Sequence, residues 1–89
     1  LFALMYNYFS KLALIHQARG ASEDQVAALI GVPRFVAKEY LQSARNYKLG
    51  KVIDVFTYIK EADLRSKGVD SGSMTDAEIL RELVYKILH

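Results

Sequence analysis

At 89 residues the chain is long enough for one domain with a single modest core and too short for two. A composition of 52% hydrophobic and 25% charged residues belongs to a folded chain, and a formal charge of +2 is too mild to demand a phosphate backbone as partner. The absence of cysteine excludes disulfides and thiol chemistry and fits a reducing compartment, so a cytoplasmic location is expected.

Residues 1 to 18 carry Leu1, Leu4, Met5, Tyr8, Leu12 and Ile15 at spacings of three and four, which predicts a first helix with that face on the core. Asn7, Ser10, Lys11 and Gln17 form only a narrow polar strip opposite. A helix this apolar expects neighbours on more than one side, and Phe2, Phe9 and Leu14, which flank the core stripe, are candidate partner-facing residues. The run Leu1-Phe2-Ala3-Leu4 is already helical in pattern and lacks an initiator methionine, as expected of a segment of a longer protein.

Arg19-Gly20 closes this helix, and Ser22-Glu23-Asp24-Gln25 opens a second, short one as a capping box. Gly31 ends it. Pro33 is expected at the first position of a third helix, where its missing N–H costs nothing, with Val36, Ala37, Tyr40, Leu41, Ala44 and Tyr47 as the apolar face. After a break at Tyr47-Lys48-Leu49-Gly50, a fourth helix runs through Val52, Ile53, Phe56 and Ile59 towards Lys67 and stops at Gly68. Gly68 to Met74 reads as a Ser/Gly/Asp turn. Thr75-Asp76-Ala77-Glu78 is a second capping box, opening a last helix with Ile79, Leu80, Leu83, Val84 and Ile87 on its face. The fold class expected is all-α, a single five-helix bundle over residues 1–89, with the fourth helix the longest after the first and no strands.

The residues give no support for an enzyme or for a cofactor. His16 lies on the apolar side of the first helix and His89 is terminal, and neither has a second metal ligand or a carboxylate at a useful spacing. His16 is therefore expected to be a core or interface residue. The five glycines are scattered, and no Gly-rich loop followed by lysine could cradle phosphate. No apolar run approaches the roughly 18 residues of a membrane helix.

Residues 22 to 48 have the pattern of a helix-turn-helix pair. Gly31 permits the turn, and Val26, Ile30, Val32, Ala37 and Tyr40 have the spacing to pack its two helices. Arg34, Lys38 and Arg45 share one stripe of the third helix with Gln42 beside it, as DNA contacts would. Three acids, Glu23, Asp24 and Glu39, nearly cancel the four bases of this segment, and a solvated basic face is the plainer reading.

Two residues break the amphipathic pattern. Phe35 falls on the polar side of the third helix near Gln42 and Asn46, and either folds back over the preceding helix or anchors a partner. Asp63 falls among Val52, Phe56 and Ile59, where a buried carboxylate needs Lys67 or Lys60 as counter-ion. If it is buried, Asp63→Ala should cost about 1–3 kcal/mol.

"ALIGVPRFVAKEYLQSARNYKLG", then "EADLRSKG", then a capped last helix, resembles the C-terminal collar domain of the delta subunit of bacterial DNA polymerase III, the clamp loader. The resemblance covers nearly the whole chain. Its most specific parts are Gly31, Val32, Pro33 and Phe35, Ala44-Arg45 with Tyr47-Lys48-Leu49, and Ala62-Asp63 with Lys67-Gly68. It implies a five-helix collar module that packs in a ring with the equivalent domains of other clamp-loader subunits, without catalytic residues of its own. The parent complex would be a polymerase holoenzyme with an ATPase assembly for loading the sliding clamp. Some relatives carry an aromatic near the primer-template junction in the turn before the last helix, and Gly68 to Ser73 has none. The function expected is thus an oligomerisation module in DNA replication, touching DNA at most indirectly, with a helix-turn-helix DNA-binding domain as the alternative.

Overall fold

The computed structural model describes residues 2–68 and 74–89, and these form five helices with no strands. They are α1 (Phe2–Gln17), α2 (Glu23–Ile30), α3 (Arg34–Asn46), α4 (Leu49–Ser66) and α5 (Asp76–Leu88). Leu1 and most of the turn expected between Gly68 and Met74 lie outside the described residues.

Local chemistry sets the boundaries. The Ser22 hydroxyl accepts the Gln25 amide at 3.2 Å while the Gln25 side chain accepts the Ser22 amide at 2.8 Å, so two otherwise unpaired donors are satisfied. Thr75 and Glu78 repeat the arrangement at 3.2 Å in each direction. Gly31 ends α2 at φ 70°, a left-handed conformation open to glycine at no steric penalty, and both its amide and that of Val32 return to the Ala27 carbonyl.

Pro33 is the N-cap of α3 and not its first helical residue, and its carbonyl accepts the Ala37 amide. The break before α4 is shorter than expected, because Leu49 and Gly50 are already helical behind Lys48. At 18 residues α4 is therefore the longest helix, ahead of the 16 of α1.

Phe9, Leu12 and Ile15 of α1 meet Val26 and Ile30 of α2, Ala37 and Ala44 of α3, Val52, Val55, Ile59 and Ala62 of α4, and Ile79, Leu83 and Ile87 of α5 in one buried cluster. The expected faces are shifted in places. Leu4 stands 71% exposed and Ile53 55% exposed, because the buried arcs centre on Leu12 and on Val52-Val55-Ile59. Val84 is likewise outside the core.

The helices form an open series. α1 packs on α4, α3 and α2; α2 packs on α3; and α5 rests on α4 alone. The radius of gyration is 14.8 Å, against the roughly 12 Å of a compact domain of this length.

Candidate interaction surfaces

Among the described residues no cluster of His, Cys, Asp and Glu is placed to hold a metal ion, and no helix is long and apolar enough to cross a membrane. The candidate sites are surfaces, and they sort by what the helix order leaves uncovered.

The four candidate partner-facing residues have different fates. Phe35 is 72% exposed in the first turn of α3, so it does not fold back over α2. The 3.6-residue period sets it amid exposed Lys38, Glu39, Gln42 and Asn46, in the middle of the helix's polar face. Leu14 is 39% exposed on α1, and Phe2 is half-buried against the core. Phe9 is a correction: it is 5% exposed, edge-on to Tyr8 and Tyr47 with ring centroids 5.3 and 5.4 Å apart, and belongs to the core. α1 packs on α2, α3 and α4 together, and this widens its buried arc to take in Phe9.

The contact between α1 and α3 is an aromatic and polar seam. Tyr8 stacks obliquely on Tyr40 at 5.0 Å and donates its hydroxyl to Ser43 at 2.8 Å. Burial, then the neighbouring Tyr8 phenol, raises the Tyr40 hydroxyl above its ordinary pKa, so it remains a neutral phenol at physiological pH. His16 donates from Nε2 to the Tyr47 carbonyl at 2.6 Å, satisfying a backbone acceptor at the end of α3. This agrees with the structural role expected of His16. Nothing in the spacing pointed to the meeting of Tyr8 with Ser43 or of His16 with Tyr47, because the members of each pair lie more than thirty residues apart.

The basic stripe of α3 is broken at its first member. Arg34 Nε reaches Glu23 at 3.2 Å and Asp24 at 3.5 Å, so acids at the start of α2 occupy it. Lys38, Gln42 and Arg45 are exposed, and among the described residues neither Lys38 nor Arg45 has an ion-pair partner. Two cations and an amide on one helix make a modest positive surface.

Asp63 does pair with Lys67, at 3.0 Å across one helical turn, but its side chain is 41% exposed. The expected buried carboxylate is thus a rim carboxylate. It borders a groove of about 570 Å³ between α1 and α4, lined by Phe2, Ala3, Tyr6, Phe56, Thr57 and Lys60 among others.

An ionic clamp that the spacing did not suggest holds α5 to α4. Arg65 donates to Glu82 at 2.6 Å, Lys86 reaches Glu82 at 3.0 Å and Glu61 at 3.7 Å, and Lys51 donates to the Lys86 carbonyl at 2.9 Å. The ammonium groups of Lys51 and Lys86 both lie over the Tyr58 ring, at 5.6 and 5.7 Å. The Arg65 hydrogen bond first, and that from Lys86 second, hold the Glu82 carboxyl below the ordinary carboxylate range.

Comparison with known protein families, with curated proteins and with solved structures finds no match for this chain.

Proposed function

We propose that the chain is a non-catalytic oligomerisation module, the collar domain of a clamp-loader subunit of the delta type, supporting the loading of the sliding clamp in DNA replication. Its partners would be the collar domains of the other clamp-loader subunits. The clamp-loader assignment rests on the residue resemblance carried by Gly31, Val32, Pro33 and Phe35 and by the segments around Tyr47 and Asp63. The observation that carries the assembly reading is Phe35, 72% exposed at the centre of a polar helix face. An aromatic ring stranded in this way is what a buried anchor looks like before its partner arrives. Leu14 and the extended shape support the same reading, since an open series of helices leaves apolar faces for neighbours.

The experiment deletes residues 1–89 from the parent subunit. Loss of assembly with its partner subunits, with clamp binding retained, is the outcome expected; normal assembly of the truncated subunit would sink the proposal. A second reading, a DNA-binding domain using Lys38, Gln42 and Arg45, draws on their exposure and lack of ion-pair partners. The Arg34 pairing with Glu23 and Asp24 weighs against it.

A further inference from the structure

α4 turns different sides to its two neighbours. Phe56, Ile59 and Asp63 line the groove shared with α1, whereas Tyr58, Ala62 and Arg65 border a narrow cleft with Ile79, Leu83 and Lys86 of α5. By helical period Val55 falls on the second side with Tyr58 and Ala62. One seam can therefore part while the other stays closed.

α5 has no second support. Each of α1, α2 and α3 packs on at least two other helices, but among the described residues α5 packs on α4 alone. Its last turn faces Asn46 and Tyr47 only across an open depression of about 400 Å³. The capping box of α5 closes between Thr75 and Glu78, within its own first turn, so leaving α4 costs the helix no cap.

What holds α5 in place is partly ionic. Arg65 meets Glu82 at 2.6 Å, and Lys86 meets Glu82 at 3.0 Å and Glu61 at 3.7 Å. These four side chains are 31–49% exposed, and charges so open to water weaken as added salt shortens the screening length from about 10 Å at 0.1 M to about 3 Å at 1 M. The apolar half of the contact, Ile79, Leu83 and Ile87, has no such dependence on screening.

We infer that α5 is a latch that lifts from α4 as one unit while α1 to α4 remain folded, uncovering the side of α4 that bears Val55 and Ala62. An element whose packing runs to a single neighbour is what opens as a separate cooperative unit. The inference follows from the order of the helices and does not rest on the clamp-loader reading.

Native-state amide exchange on the 89-residue chain at neutral pH reads the opening directly. Ile79, Leu83 and Ile87 should exchange together, at least about tenfold faster than Leu12 of α1. Ile30→Val, a small loss of packing in α2, should speed exchange at Leu12 roughly threefold to tenfold and leave α5 unchanged, because the α2 contacts persist in the open form. Raising NaCl from about 0.02 M to about 0.5 M should speed exchange across α5 roughly threefold to tenfold, and Glu82→Gln should bring α5 most of the way to that rate at low salt. Protection of α5 equal to that of Leu12, acceleration of α5 together with Leu12 in Ile30→Val, or α5 exchange indifferent to salt would each overturn the proposal.

Discussion

Phe35 keeps 72% of its surface in water, forgoing the roughly 1.5–3 kcal/mol that burying such a side chain supplies. Nothing inside the molecule compensates for it. Phe35→Ala should accordingly change the unfolding free energy by less than about 0.5 kcal/mol, the usual scatter at surface sites. Phe9→Ala, which empties a core position between Tyr8 and Tyr47, should cost about 3–5 kcal/mol. Urea titrations of the two variants measure both, and similar losses would mean that the two rings have been assigned the wrong environments. The Asp63 pair is weak for a related reason. Half-exposed and one turn from Lys67, it should contribute about 0.3–0.5 kcal/mol, so Asp63→Ala is expected near that figure and not at the 1–3 kcal/mol of a buried carboxylate. Its place among Val52, Phe56 and Ile59 in the helical period was legible; its exposure was not. Period fixes the face on which a residue lies, while depth depends on how close the neighbouring helix comes.

At the scale of elements, the caps and stops could be read directly because their partners are three residues away. Ser22 with Gln25, Thr75 with Glu78, and Gly31 each depend on local backbone geometry alone. The rotation of each helix could not be read as securely. Where apolar residues cover most of a helix, as in α1, several arcs fit the period equally, and the contacts with α3 and α4 choose the one containing Phe9 and leave Leu4 outside. The α4–α5 clamp was illegible for the same reason, since Arg65 and Glu82 meet only when the hairpin closes. It carries a pH signature. The Glu82 carboxyl is held below its ordinary value of about 4.3, so its contribution is fully present above that pH and is lost as the pH falls through the depressed folded value. α5, which rests on α4 alone, should therefore loosen before the rest of the molecule in acid. Amide exchange measured at falling pH should show Ile79, Leu83 and Ile87 deprotecting ahead of Leu12 and Val26, and Glu82→Gln should reduce that difference without abolishing it, because the Glu78 carboxyl in the α5 capping box is also held below its ordinary range, first by its backbone hydrogen bond with Thr75. Simultaneous loss of protection throughout would place the acid-sensitive interaction elsewhere.

At the scale of the whole molecule, five helices without strands were legible from periodicity and punctuation, but the openness of their arrangement was not. A sequence reports which residues can be buried; it does not report that, among the described residues, α5 packs on one helix alone. The resulting radius of gyration, 14.8 Å against roughly 12 Å for a compact domain of this length, describes a molecule with faces to spare. Apolar residues on those faces are the basis of the proposed protein neighbours, and the Arg34 ion pairs reduce the basic surface of α3. The most direct test of the proposed collar role is sedimentation velocity on the 89-residue chain mixed with clamp-loader subunits from its own source, beside a salt-dependent titration against duplex DNA. The proposed collar role predicts co-sedimentation of the chain with those subunits, its loss in Phe35→Glu without loss of folding, and no DNA binding tighter than a nonspecific one. A chain that sediments alone, yet binds duplex DNA with a steep salt dependence abolished by Lys38→Ala with Arg45→Ala, would contradict it.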